Sequence, residues 1–225
     1  MQRLSRPLES MRSHYTVVVI GSGYGGSIAA SRMARAGQTV CVLERGRELI
    51  PGEYPDNEAE ALREFQVDLP LTHMGPPTGL YDFRVNPDIN VFVGCGLGGT
   101  SLVNANVVLE PEARVFEDSV WPQALRDDIN QGLKLGFEKA NQMFGVTPYP
   151  KDFPDLPKHA ALKKSDQTME ACHFDRPPIS VSFKEGSSPA GVNQKACTLC
   201  GDCVSGCNVS AKNTVLMNYL PDAVR

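Results

Sequence analysis

The six residues Gly21-Ser-Gly-Tyr-Gly-Gly26, near the amino terminus, constrain the fold more than any other part of the sequence. They follow a β-branched run at 15–20 and precede a stretch rich in Ala, Arg and Met at 27–36, which favours a helix. A second apolar run at 39–43 ends immediately before Glu44. This order of strand, glycines, helix, strand and acid is typical of a βαβ unit and predicts an α/β, Rossmann-like fold with a parallel sheet.

Each glycine of the G-x-G-x-x-G pattern has a physical task. Gly21 permits the tight turn, Gly23 lets the backbone approach a pyrophosphate, and Gly26 lets the helix pack closely on the strand. The N–H groups and the dipole at the helix start favour an anion. Glu44 would bind the hydroxyls of a ribose and repel a 2′-phosphate. The pattern therefore predicts a dinucleotide site that disfavours NADP, with NAD and FAD both open.

A second glycine-rich loop, Gly-Cys-Gly-Leu-Gly-Gly-Thr-Ser-Leu-Val-Asn, occupies residues 94–104 and follows a brief apolar strand at 90–93. Such a loop can direct several backbone N–H groups at one anion. By itself it is also compatible with a flexible bend.

The two loops together resemble those of the glucose-methanol-choline (GMC) flavin oxidoreductases. Gly-Ser-Gly-Tyr-Gly-Gly, Gly-Gly-Thr-Ser-Leu-Val-Asn, Glu-Pro-Glu-Ala-Arg-Val-Phe-Glu at 110–117 and Trp121-Pro122 resemble the cholesterol oxidase branch in particular. The resemblance is clear over residues 15–46 and 91–121 and loose elsewhere.

This resemblance implies an FAD-dependent oxidoreductase acting on CH–OH groups, with a sterol or another bulky apolar alcohol as substrate. The residues that it implies at the cofactor are Gly21, Gly23, Tyr24, Gly25 and Gly26 around the pyrophosphate, Glu44 at the adenosine ribose with Arg45 beside it, Gly98, Gly99, Thr100 and Ser101 on the opposite side, and Asn104 against the flavin ring. Ala105, Asn106 and Val107 replace the glycines and methionine typical of cholesterol oxidases, so the substrate stays open. The loop contains no histidine that could tether flavin, so we expect a dissociable FAD.

The catalytic base of the resembling proteins is a histidine near the carboxyl end of a much longer chain. The four histidines here, His14, His73, His159 and His173, stand in no matching context. We expect them to be surface or structural residues and assign no catalytic residue. The expected organisation is a leader at 1–14, an incomplete FAD-binding region at 15–146, and a proline-rich excursion with a cysteine-rich segment at 147–225, together forming the amino-terminal part of an oxidoreductase.

Two further expectations concern secondary structure within these regions. Prolines between residues 46 and 88 indicate irregular connecting structure, with a possible short helix at 58–65. Apolar residues recur at spacings of four and three over 127–144, which predicts an amphipathic helix that ends at Gly145.

Cys197, Cys200, Cys203 and Cys207 have the C-x2-C-x2-C-x3-C spacing of bacterial ferredoxins. The spacing predicts a 4Fe-4S iron–sulfur cluster and disfavours zinc, whose ligands usually come as two separated pairs. Asn208, rather than a proline, follows the last cysteine, and a redox-sensitive thiol patch is the alternative. A cluster near a flavin would pass single electrons to an acceptor.

Composition excludes several other classes of function. The net charge of -4, without a basic run, argues against nucleic acid and anionic membranes as partners, and no apolar stretch is long enough to span a bilayer. Seven cysteines without an export signal favour a reducing, cytoplasmic compartment. The alternatives to the flavoprotein are an NAD-dependent dehydrogenase, in which the second loop is incidental, and a non-catalytic iron–sulfur or metal-binding module.

Overall fold

A computed structural model describes residues 1–170 and 173–225. Strand β1 (Val17–Ile20), helix α1 (Tyr24–Arg35) and strand β2 (Val40–Leu43) form the predicted βαβ unit. The two strands are parallel, with Val17 opposite Val40 and Ile20 opposite Leu43. The α/β, Rossmann-like class is therefore confirmed. Helix α1 begins at Tyr24, three residues before the predicted start at 27, because Gly23 already serves as its N-cap.

The expectation that residues 46–88 form irregular connecting structure is wrong. This region contains α2 (Glu58–Arg63), as expected for a short helix, and the unexpected strands β3 (Phe65–Leu69), β4 (Thr72–Met74) and β5 (Tyr81–Arg84). With β6 (Val91–Gly94), these strands form a sheet in the order β4-β3-β5-β6, in which only β3 and β5 are parallel. The prolines lie between the short strands and leave their hydrogen bonding intact.

The amphipathic helix expected over 127–144 is interrupted. Helix α3 (Gln123–Asp127) is followed by a π-helical turn at Ile129–Leu133 and then by α4 (Lys134–Met143). The Asp128 carboxylate accepts a hydrogen bond from Gly132 N at 3.0 Å and so competes with the regular helical pattern. The predicted stop at Gly145 is confirmed, since this residue has a φ of 55°.

Residues 147–194 contain short, separated elements. Strand β7 (Thr147–Pro148) pairs antiparallel with β8 (Pro178–Ile179), and β9 (Gly186–Ser187) pairs antiparallel with β10 (Asn193–Gln194). Helix α5 (Pro157–Asp166), which the sequence analysis did not predict, lies between β7 and β8. Its first residue is proline, whose fixed φ suits the start of a helix.

The carboxyl-terminal residues pack on the amino-terminal unit. A 3-10 turn at Val215–Met217 leads into α6 (Tyr219–Val224), which contacts α1. The Asp222 carboxylate accepts hydrogen bonds from Ser31 Oγ at 2.5 Å and from Arg35 Nη2 at 2.6 Å. The main buried cluster here consists of Phe144, Val215, Leu216, Tyr219 and Leu220. Residues 211–221 are all buried. This segment packs behind α1 and behind the second glycine-rich loop and supports both.

Strand β1 has an open edge. In the described part of the chain it pairs with β2 alone. Val18 and Ile20 are 55% and 87% exposed, although their sequence is typical of a strand buried on both faces.

Adjacent glycines in the first turn of α1 give a matched test of the packing. A Cβ at Gly26 would lie 2.0 Å from Gly21 O, whereas a Cβ at Gly25 would meet no atom within 4 Å. We predict that Gly26→Ala lowers the free energy of unfolding by about 3 kcal/mol or more. Gly25→Ala should instead leave it within about 1 kcal/mol of the wild-type value, because alanine favours the helix. Urea unfolding followed by circular dichroism measures both, and equal effects would contradict the close packing.

Candidate dinucleotide site

The first glycine-rich loop turns sharply and leaves open space in front of α1. Gly21 has a φ of 88°, a left-handed conformation that glycine adopts without strain. Gly23 caps the helix without any side chain, so it cannot satisfy the first N–H groups of α1. A Cβ at Gly23 would meet no atom within 4 Å. The helix start therefore has free donors and room for an anionic group.

The second glycine-rich loop lies directly against the first. Gly98 N donates a hydrogen bond to Ser22 Oγ at 2.9 Å. A Cβ at Gly99 would come within 2.8 Å of Gly23 Cα, so the two backbones approach as closely as glycine allows. Gly98 and Gly99 both have positive φ values, 122° and 55°. The two loops, separate in the sequence, thus form one continuous backbone surface.

Glu44 holds the turn of the first loop. Its Oε2 accepts hydrogen bonds from Ser22 N at 2.9 Å and from Ser22 Oγ at 2.7 Å. Its Oε1 accepts one from Gly46 N at 2.9 Å. A carboxylate has further lone pairs, so these contacts leave capacity for a ribose hydroxyl. The predicted ribose ligand is therefore also a structural anchor of the loop.

Arg45 is held by the second sheet. Its Nη2 lies 2.8 Å from Oδ2 of Asp82, a carboxylate whose side chain is 1% exposed. Arg84 Nη2 contacts the same oxygen at 3.0 Å. Two guanidinium groups therefore compensate one buried carboxylate, and Arg45 joins the end of β2 to β5.

Tyr24 and Asn104 connect the two loops near the start of α1. Asn104 Nδ2 donates a hydrogen bond to the Tyr24 hydroxyl oxygen. Burial raises the pKa of Tyr24, although the hydrogen bond from Asn104 acts in the opposite direction. The hydroxyl therefore keeps its proton at neutral pH and can donate it to an acceptor in the site.

The polar side chains of the second loop bind within the protein. Ser101 Oγ donates to Gly98 O at 2.7 Å and accepts from Val215 N at 3.1 Å, and Thr100 Oγ1 accepts from Gly94 N at 3.3 Å. Because the side chains of Thr100 and Ser101 are hydrogen-bonded within the protein, it is the backbone at these residues that can face a ligand. Asn106 has a φ of 57°, a conformation that asparagine tolerates better than most residues.

The four cysteines of the predicted cluster line one small cavity. Cys197, Cys200, Cys203 and Cys207 line a cavity of about 20 Å³ together with Lys212. Among the described residues, no group of three or more His, Cys, Asp or Glu side chains is arranged so that it could hold a metal ion. The predicted iron–sulfur cluster and metal site at these cysteines therefore find no support in the structure.

Asn208, which follows the last cysteine, binds the backbone of Gly52 and Tyr54. Its Oδ1 accepts from Gly52 N at 2.8 Å and from Tyr54 N at 3.0 Å, while its Nδ2 donates to Tyr54 O at 3.0 Å. The Tyr81 hydroxyl also donates to Ser205 O at 2.7 Å. The segment 197–208, termed the cysteine loop below, is thus bound to the rest of the protein by side-chain to backbone hydrogen bonds.

The sequence did not indicate the contacts of two buried residues, Ser22 and Lys212. Ser22 is the variable position of G-x-G, and only its complete burial and its contacts with Glu44 and Gly98 reveal its role. Lys212 is 2% exposed, and burial lowers its pKa to about 8, while negative charge on Cys203 and Cys207 acts to raise it. The available signal was that Lys212 is the one charged residue in the sequence from 211 to 221.

The histidines have varied settings. His73 Nδ1 lies 2.7 Å from Asp68 Oδ1 on strands β4 and β3, and both side chains are partly exposed. The ring of His159 packs edge-on against Tyr149, with 5.5 Å between the ring centroids. His14 and His173 lie on the surface. None of these contacts assigns a catalytic role.

The βαβ unit defines a Rossmann-like protein, and residues 19–79 match the family described as an NAD(P)-binding Rossmann-like domain. The chain is 32% identical to a cholesterol oxidase of Mycobacterium tuberculosis, over 93% of its own length and 37% of that protein. A cholesterol oxidase of Acinetobacter baumannii is 29% identical over 92% of the chain and 38% of its own length. A long-chain-alcohol oxidase of Arabidopsis thaliana is 27% identical over 92% of the chain and 24% of its own length.

These comparisons confirm the resemblance to the amino-terminal portion of GMC oxidoreductases in their cholesterol oxidase branch. The chain spans well under half the length of the relatives it matches. No helix within the described ranges has the length and apolar character that crossing a membrane requires.

Glu44 offers a test of the loop anchor. In Glu44→Gln, one side-chain oxygen becomes an NH2 group, which cannot accept the hydrogen bonds of Ser22 or Gly46. We predict a loss of about 2 kcal/mol in the free energy of unfolding. Glu117→Gln, at an exposed position, is the control. Equal urea midpoints for the two variants would contradict the anchoring role of Glu44.

Proposed function

We propose that this chain is the FAD-binding, amino-terminal part of a GMC-type oxidoreductase that acts on the CH–OH group of an alcohol. The observation that carries the proposal is the contact between two glycine-rich loops at the start of α1, with Gly98 N bonded to Ser22 Oγ. Backbone donors from both loops can then converge on one diphosphate. The names of the relatives, cholesterol oxidase and long-chain-alcohol oxidase, support an apolar alcohol as the substrate class.

In this proposal the residues of the first loop and the N-terminus of α1 bind the FAD pyrophosphate. Glu44 binds the adenosine ribose through the lone pairs that Ser22 and Gly46 leave free. The backbone at 98–101 faces the pyrophosphate and ribityl chain, and Asn104 lies beside the flavin ring. Bound FAD would supply the acceptor for a hydride from the alcohol carbon. A separate electron acceptor would then reoxidise it.

An NAD-dependent dehydrogenase is less well supported. A single βαβ unit with Glu44 suits NAD as well as FAD, and the matched family description refers to NAD(P). NAD would not, however, require the second loop, whose Gly98 and Gly99 backbone packs against the first. Titration of the purified chain with FAD and with NADH, each followed by fluorescence, distinguishes the two.

Gly23 gives the sharpest test of the FAD site. Its φ of -64° is open to any residue, and a Cβ there meets nothing within 4 Å, so Gly23→Ala should fold. We predict that its dissociation constant for FAD rises at least about tenfold, because the methyl group occupies the space of the pyrophosphate. The free energy of unfolding without FAD should change by less than about 1 kcal/mol.

The matched control is Gly136→Ala in α4, where a Cβ also meets no atom within 4 Å. This variant should bind FAD as the wild type does. If wild-type chain binds FAD and Gly23→Ala binds it equally well, the pyrophosphate lies elsewhere. If the wild type binds no FAD under any loading condition, the proposed function fails.

A further inference from the structure

Lys212 is almost fully buried and uses its whole hydrogen-bonding capacity on the backbone. Its Nζ donates to Asn104 O at 2.6 Å, to Cys203 O at 2.8 Å and to Leu102 O at 3.1 Å. An ammonium group has three N–H bonds, so each has one carbonyl partner. The side chain is 2% exposed, which excludes water as its main partner.

The cost of burying this charge argues for a specific role. Among the ion pairs of the described residues, none includes Lys212. A buried ammonium without a carboxylate is expensive, and an apolar side chain of similar length would fill the same volume at lower cost. An apolar side chain, however, has no donors and could not hold three carbonyl groups from two separate segments at one point, as Lys212 does.

The two segments are the end of the second glycine-rich loop and the cysteine loop. Leu102 and Asn104 follow directly on Gly98 to Ser101, and the side chain of Asn104 bonds to the Tyr24 hydroxyl at the start of α1. Cys203 belongs to the cysteine loop, which Asn208 and Tyr81 fix to the remainder of the protein. The ammonium of Lys212 therefore joins a fixed loop to the backbone that faces the first glycine-rich loop.

We infer that Lys212 is a positioning residue through which the cysteine loop sets the backbone of Leu102–Asn104, and hence the second side of the dinucleotide site. Of the four cysteines, Cys203 takes part through its backbone carbonyl and not through its thiol. The structural part of the inference stands on the contacts of Lys212, whereas its consequence for FAD rests on the proposed function.

Amide hydrogen exchange of the full chain tests the structural part without any cofactor. In Lys212→Met, we expect at least about tenfold faster exchange both at 102–106 and at 197–208, with no change over residues 27–35 of α1. A general loss of stability would instead accelerate α1 as well. Lys195→Met, at an exposed lysine, is the control and should match the wild type in all three segments.

Faster exchange in only one of the two segments, or in neither, would overturn the inference, as would equal acceleration in α1. Should Lys212→Met fail to fold, Lys212→Gln replaces it, since its amide keeps two donors. We then expect exchange faster than wild type at both 102–106 and 197–208, and unchanged exchange at either segment overturns the inference.

FAD binding supplies the functional readout. We expect the dissociation constant for FAD to rise about tenfold in Lys212→Met and to stay unchanged in Lys195→Met. If the wild-type chain binds FAD and Lys212→Met has the same dissociation constant for FAD, the positioning role of Lys212 at the cofactor is overturned. Absence of FAD binding by the wild type refutes the proposed function, while the exchange experiment still decides whether Lys212 couples the two loops.

Discussion

The hydroxyl group of Ser22 is the contact on which the geometry of the site depends. It donates to Glu44 Oε2 at 2.7 Å and accepts from Gly98 N at 2.9 Å, so one buried side chain joins the first loop, the end of β2 and the second loop. A buried hydroxyl with both roles satisfied is rigid, because any displacement breaks two hydrogen bonds at once. The alignment of the helix start with the opposite backbone follows from this one position.

The sequence predicted the βαβ unit well because every local signal there agrees. The β-branched residues of β1, the three glycines and the good helix formers of α1 each favour the same structure, and no long-range contact opposes them. The convergence of the two glycine-rich loops was also predicted, but through family resemblance rather than through spacing. The resemblance did not reveal that Ser101 and Thr100 turn their side chains away from the site.

The errors lie where tertiary contacts decide the structure. Strands β3, β4 and β5 are short and flanked by prolines, and they form only because they pair with one another and with β6. The break between α3 and α4 depends on the hydrogen bond between Asp128 and Gly132. A helix predicted from the spacing of apolar residues takes no account of such a bond. The iron–sulfur cluster predicted from the cysteine spacing finds no support among the described residues, because a spacing motif does not specify how the thiols are arranged in space. Lys212 lines the same cavity as the four cysteines, and a Cβ at Gly206 would come within 2.2 Å of the Tyr54 ring.

The free edge of β1 determines how the isolated chain will behave at high concentration. Its N–H and C=O groups on that side have no partner strand in the described part of the chain, and Ile20 is almost fully exposed beside them. Such an edge accepts any extended polypeptide of suitable polarity, since backbone hydrogen bonds select geometry and not sequence. The free edge is therefore a place where strands of two copies of the chain can pair.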